Sequence, residues 1–177
     1  MIHITHYRSP LGDMLLAEEG GALFGAWFQG QKYYPAAFPE AKEQDTPTLD
    51  AAKAWLDAYF AGRRPDARSL SLAPHGSAFR QAVWQLLMEI PAGQVTTYGA
   101  LAAKMAERTG RKTMSAQAVG GAVGHNPLGI FIPCHRVVGA DGSLTGYAGG
   151  LDKKIQLLKL EGVDVGHLRV PVTGTAL

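Results

Sequence analysis

The chain has 177 residues, 46% hydrophobic and 18% charged, with a formal net charge of +2 at neutral pH. That length buries a real core in one domain or two small ones and excludes a large multidomain machine, while the balance of apolar and charged residues excludes a disordered chain. A single cysteine excludes an internal disulfide and a thiolate zinc cage. The apolar runs are only a few residues long and Met1 to Gly12 lacks an apolar segment, so a cytoplasmic protein with no membrane partner is expected. Charge is unevenly spread: residues 1 to 73 carry 7 Lys and Arg against 9 Asp and Glu, and residues 74 to 177 carry 10 against 6. The balance of −2 against +4 favours a C-terminal half that meets an anion.

In chain order, Ile2 to Tyr7, Met14 to Glu18 and Leu23 to Phe28 are short strand-like runs. Turn signals at Ser9-Pro10-Leu11-Gly12 and Glu19-Gly20-Gly21 separate them, which predicts an antiparallel meander. After Pro35 and Pro39, Thr46 is placed to cap a helix with Pro47 at its first position. Leu49, Ala52, Leu56, Tyr59 and Phe60 recur there at helical spacing until Gly62. The stretch Gly62 to Gly76 reads as a linker. Beyond it, Ser77 caps a helix with a Phe79, Ala82, Val83, Leu86, Leu87, Ile90 stripe, stopped by Pro91-Ala92-Gly93. Two further helices follow, over Tyr98 to Arg108 and from Ser115 to Asn126-Pro127, suggesting a helix-turn-helix with a long turn. Lys104, Arg108, Arg111 and Lys112 surround that turn, opposed only by Glu107, where such proteins meet phosphates. The second helix carries Ala116, Ala118, Gly120, Gly121, Ala122 and Gly124, so it can approach a narrow surface but projects few groups for reading base edges.

Gly129 to Ile132 then reads as a short apolar strand running into Pro133-Cys134-His135-Arg136-Val137-Val138. A lone cysteine is usually an inert small hydrophobe. Here a basic and a cationic neighbour favour the thiolate, the nucleophilic form. Adjacent side chains of an extended segment point apart, so His135 reaches the sulfur only through water or a turn. The ring also needs an acceptor behind it, and Asp141, Asp152, Glu161 and Asp164 are the downstream candidates. Glu161 follows a helix over Asp152 to Leu160, where the dipole disfavours an anion unless it has a partner such as an imidazolium.

The run Ile132-Pro133-Cys134-His135-Arg136-Val137, preceded by Gly124-His125-Asn126-Pro127 and followed by Gly146-Tyr147-Ala148-Gly149-Gly150, resembles the O6-alkylguanine-DNA alkyltransferases. The likeness extends from about Phe79 to Gly162, and the N-terminal third fits in size and strand-helix order. It implies an α/β protein with a ribonuclease-H-like N-terminal domain over residues 1–73. A C-terminal winged-helix-like, helix-turn-helix domain would occupy residues 74–177. It further implies a monomer without cofactor or metal whose partner is double-stranded DNA containing O6-alkylguanine. Such proteins move a methyl or other alkyl group from O6 of guanine, or O4 of thymine, onto their own cysteine.

By position, Cys134 resembles the acceptor, His135 the base acting through water, and Glu161 the carboxylate that holds it. Asn126 resembles the hinge between recognition helix and active-site strand, and Tyr98 the tyrosine that assists the leaving guanine. Tyr147, Ala148, Val123 and Val137 would form the base pocket. Tyr98, Thr97, Ser115, Ala116, Gln117 and Gly120 would face DNA. Gln117 stands where the family usually has the arginine that fills the gap left by a flipped base. The transfer product would be a thioether, which has no carbonyl for water to attack, so each molecule acts once. An O6 atom inside a duplex is beyond a buried thiol, so the nucleotide must rotate out. Two other classes remain: a non-enzymatic damage-recognition or regulatory DNA-binding protein on this scaffold, a branch that lacks the cysteine, and a Cys-His hydrolase that turns over esters.

Overall fold

Alternation of apolar residues around two tight turns builds the first layer. In the computed structural model, which describes residues 1–170, strands β1 (Ile2–Ser9), β2 (Gly12–Glu19) and β3 (Ala22–Phe28) form the expected antiparallel meander. A short β4 (Lys42–Glu43) adds parallel to β1, giving the order β3-β2-β1-β4. A bulge shifts the β2–β3 register between Ala17 and Glu18, and Phe24 and Trp27, three residues apart, both join the cluster on one face. Trp27 folds back over Gly25, where a Cβ would lie 1.9 Å from the indole, so this glycine is required by close approach.

Helix α1 (Pro47–Phe60) starts as its residues predict: the Thr46 hydroxyl accepts from the Leu49 amide and Pro47 opens the first turn. Leu49, Ala52, Leu56 and Tyr59 belong to one buried cluster with Met14, Leu16 and Phe28 of the sheet. The segment expected to be a linker is instead bound in place. Leu72 bridges β3 at Leu23, Ala67 is buried in a single 3-10 turn, and Arg68 donates to the Met88 carbonyl. The reason is the open edge of β3, whose backbone groups need partners.

The second half consists of α2 (Ala78–Leu87), α3 (Tyr98–Thr109), α4 (Ala116–Gly124) and α5 (Leu151–Leu160). Ser77, Thr97 and Ser115 each accept from the amide three residues on, capping α2, α3 and α4. Gly110 ends α3 at φ +69°. Helix α2 stops at Leu87, four residues before Pro91, so Ile90 packs on the core from outside the helix. Buried Trp84 donates its indole N–H to the Ala122 carbonyl at 2.8 Å, pinning α4 to α2. A two-stranded parallel ladder joins β5 (Thr96–Thr97), just before α3, to β6 (Val137–Val138), just after the cysteine.

Candidate active site

The residues around Cys134 form a chain of turns, and this corrects the strand expected over Gly129 to Ile132. Asn126 closes the first turn: its Nδ2 donates to the Ile132 carbonyl at 2.8 Å and its Oδ1 accepts from the Leu128 amide at 3.0 Å. Inside the loop Ile130 sits at φ +73°, a strained conformation for a β-branched side chain. The strain is offset by docking on the free edge of β3, where Ala26 donates to the Pro127 carbonyl and Gly129 donates to that of Ala26. Pro133, at φ −81° and ψ 63°, makes an inverse γ-turn closed by Cys134 N–H on the Ile132 carbonyl, and Cys134–Arg136 continue as a 3-10 turn. Turn geometry thus replaces the opposed side chains of a strand.

Behind the cysteine lies a buried polar cluster centred on Glu161, the residue that ends α5. His135 is fully buried with Nε2 2.6 Å from Glu161 Oε2. An ionised carboxylate only accepts, so Nε2 carries the proton and Nδ1 is a bare base. Nδ1 is buried without a partner among the described residues. Arg136 donates from Nε to Oε1 at 2.7 Å and from Nη2 to Oε2 at 3.1 Å, and the Tyr59 hydroxyl donates to Oε2 at 2.6 Å. Burial would raise the Glu161 carboxyl pKa, but donors from His135 and Arg136 outweigh it and hold it at about 2. Burial lowers the His135 pKa against the pull of Glu161, so the ring is neutral at rest. Glu161 at the helix end therefore meets the expected histidine and, beside it, a guanidinium that supplies the resting counter-charge.

The sulfur differs from expectation as well. Burial pushes the Cys134 thiol up, with the Asn126 side chain and the charge of Lys154 only opposing it. The resting group is a thiol that must hand its proton to a base. Lys154 is itself completely buried, donating to the Val137 carbonyl at 2.6 Å and the Thr145 carbonyl at 2.8 Å, and burial lowers its pKa to about 8. The Tyr98 hydroxyl donates to the same Thr145 carbonyl at 3.2 Å. Lys154 thus ties β6, just after the cysteine turn, to the loop that carries Tyr147 and Ala148.

Val123, Asn126, Cys134, Tyr147 and Ala148 line one pocket with about 10 Å³ of free volume. That is room for about one water, so a purine enters only after the walls part. The wall loop is latched from the N-terminal half, where Lys32 N–H donates to the Ala148 carbonyl at 3.0 Å and Tyr33 stacks on His125 at 4.1 Å. A larger cavity of about 350 Å³ lies behind Glu161 and is not lined by Cys134.

The remaining named residues fall on the outer face. Ser115, Ala116 and Gln117 are exposed at the start of α4, Gly120 faces the Tyr98 ring, and Thr97 caps α3 beside them. Arg108 is paired with Glu89 at 2.8 Å, so the cationic border of the turn reduces to Lys104, Arg111 and Lys112. Of the residues singled out in the sequence, Val123, Asn126, Cys134, Tyr147 and Ala148 line the cysteine pocket, and His135 and Glu161 lie behind it. Val137, expected in the base pocket, is buried outside its lining with its carbonyl on Lys154. Tyr59, Arg136 and Lys154 were missed as site residues. Arg136 and Lys154 had one available signal, a charge within an apolar pattern; Tyr59 had none, because a tyrosine on a helix stripe reads as packing.

Comparison with known proteins covers both halves. The ribonuclease-like domain of 6-O-methylguanine DNA methyltransferase matches residues 2–74, and the DNA binding domain of 6-O-methylguanine DNA methyltransferase matches residues 78–163. The methylated-DNA-protein-cysteine methyltransferase of Haemophilus influenzae is 39% identical over 161 residues, covering 90% of this chain and 86% of its own. That of Methanosarcina barkeri is 43% identical over 157 residues, covering 87% and 93%. The crystal structure of Mycobacterium tuberculosis OGT in complex with DNA superposes with a TM-score of 0.77 at 36% identity, covering 94% of each chain. With turns, relay and both domains accounted for, the chain belongs to the 6-O-methylguanine DNA methyltransferase family.

Proposed function

We propose that this protein repairs DNA by direct reversal, moving the alkyl group from O6 of guanine in double-stranded DNA onto Sγ of Cys134, once per molecule. The observation that carries the reading is the neutral His135, held through Nε2 by Glu161 with a bare, buried Nδ1, directly following a buried thiol. The thiol proton passes through a water to Nδ1, and the imidazolium that forms is stabilised by Glu161. The thiolate attacks the alkyl carbon, the carbon–O6 bond breaks, and its electron pair leaves on the guanine. As the pocket opens the Tyr98 hydroxyl leaves the Thr145 carbonyl and, kept protonated by burial, donates to the departing base. The Val137 carbonyl is held by Lys154 and that of Ala148 by the Lys32 N–H, so both are engaged in the resting protein and become available to the base only as the pocket opens. The nucleotide reaches the thiol by rotating out of the duplex while α4 lies against the minor groove. A reducing compartment, the cytoplasm, suits a reaction that needs a free thiol, and none of the helices among the described residues is long and apolar enough to cross a membrane.

Intact mass after incubation with duplex DNA containing O6-methylguanine tests the proposal. One added methyl on the peptide holding Cys134, with no second turnover, is the expected result. Unchanged protein mass with repeated turnover of an ester would instead identify a Cys-His hydrolase.

A further inference from the structure

The ribonuclease-like half reaches into the relay. Tyr59, on α1, places its hydroxyl 2.6 Å from Glu161 Oε2, the same oxygen that lies 2.6 Å from His135 Nε2. Arg64, in the segment after α1, donates from Nη2 to the Glu161 main-chain carbonyl at 3.0 Å and from Nη1 to that of Ala92 at 3.3 Å. One half of the chain therefore holds both the side chain and the main chain of a residue belonging to the other.

We propose that Tyr59 is a positioning residue for the transfer reaction, its hydroxyl holding Glu161 Oε2 on His135 so that the relay is complete only when both halves are docked. The inference rests on the alkyl-transfer reading above. Arg136 is the only guanidinium on the carboxylate, and a charge-assisted pair is the strongest of the three contacts. Left alone with it, the carboxylate would swing towards that fork and away from the imidazole. Tyr59 opposes the swing from a fixed place. Its ring is buried, stacked parallel to Trp55 at 5.5 Å and edge-on to Phe60 at 5.2 Å. A phenylalanine would satisfy that packing without burying a hydroxyl, so the hydroxyl is explained by the carboxylate it meets. Burial and the neighbouring carboxylate raise its pKa, which leaves it a donor throughout the working range.

The groups facing the relay are Tyr59 and Arg64 from the N-terminal half, Cys134 and Arg136 from its own turn, Lys154 from α5, Tyr98 from α3, and Tyr147 from the pocket loop. Of these, Tyr59→Phe changes only an uncharged donor. The experiment measures alkylation of Cys134 by free O6-benzylguanine across pH, which removes DNA binding from the readout, in the full chain and in Tyr59→Phe. Loss of the hydroxyl is expected to slow the reaction about 5- to 10-fold at neutral pH and to move its midpoint up by about half a pH unit, because the imidazolium loses its anchored acceptor. Tyr59→Met, which shares only the missing hydroxyl, should shift the midpoint in the same direction. An unchanged midpoint, with or without a slower rate, would overturn the proposal and leave Tyr59 as packing. A downward shift would overturn it too, since the hydroxyl would then be restraining Glu161 as a base. Failure of both variants to fold would assign the hydroxyl to stability alone. Absence of alkylation of the unsubstituted protein by duplex DNA containing O6-methylguanine, run alongside, would instead defeat the underlying reading.

Discussion

Cys134 lies between two surfaces built on opposite rules. In front, α4 presents exposed Ala116, Gln117, Ala118 and Gly121, with Ser115 spent on its own cap. Behind, Glu161, His135 and Lys154 are buried, Arg136 nearly so, and each charge among them is held by two or more donors or acceptors. Charge removed from water must be paired, so the back of the site is over-determined and tolerates little change. On the proposed reading the front works through close backbone approach and phosphate contacts, which act additively and at longer range. Substitutions behind the sulfur should therefore alter reactivity and fold together, and those in front only the encounter with DNA.

The sharpest test removes the atom between the two surfaces. Cys134→Ser should abolish transfer while leaving binding to duplex DNA largely intact, with affinity falling as salt rises on a slope of about 3 to 5 phosphate contacts at roughly 0.9 each. Binding that ignores salt, or that vanishes with the thiol, would erase the division between front and back.

Glu161→Gln tests the back. It should slow alkylation by roughly 10- to 100-fold and raise the pH at which Cys134 reacts, because a neutral amide supports the imidazolium poorly. It should also cost about 3 kcal/mol in chemical denaturation, since the Arg136 guanidinium loses its counter-charge. The pH dependence has a definite sign. With its pKa lowered from 4.5 to about 2, Glu161 contributes stability that is complete above 4.5 and is lost as the pH falls towards 2. His135, lowered below 6.5 by burial, adds stability above 6.5 that is likewise lost on acidification. The Gln variant should lose the Glu161 share of the acid limb below 4.5, leaving that of Asp141 and other lowered carboxyls. An unchanged pH–rate profile in a folded variant would remove Glu161 from the mechanism.

The smallest effect is expected in front. Gln117 is exposed near the start of α4, uncharged and shorter than arginine, so it should stabilise an extruded nucleotide less well. Gln117→Arg should speed repair of duplex DNA several-fold, the effect of about 1 kcal/mol in the compensation for unstacking, and Gln117→Ala should slow it. Reaction with the free base, followed in parallel, should hardly move. Equal effects on duplex and free base would mean that this side chain does not fill the gap.

Local signals made the regular elements legible. Thr46-Pro47, Ser77 and Ser115 cap the helices that follow them, and Gly20-Gly21 turns the chain between β2 and β3. Each depends on interactions within a few residues, which is why propensity and spacing suffice. The expected strand at Gly129 to Ile132 failed for the opposite reason. Its apolar letters fit a strand, but Asn126 and the edge of β3 impose a turn with Ile130 in a strained backbone region. That the expected linker at Gly62 to Gly76 docks on the body was illegible in the same way, because the partners of Leu72 and Arg68 lie outside the segment.

The sequence by itself determined the helices and most of their caps, the single cysteine, its basic neighbour and the bare helix after Ser115, because composition and short-range spacing carry these. The residues alone left four downstream carboxylates open and the family resemblance pointed to Glu161; only the tertiary structure decided that a guanidinium and a tyrosine share it with His135. It also decided the protonation of the site. Burial keeps Cys134 a thiol and His135 neutral, and burial is a property of everything packed around a residue, which no local pattern of letters contains.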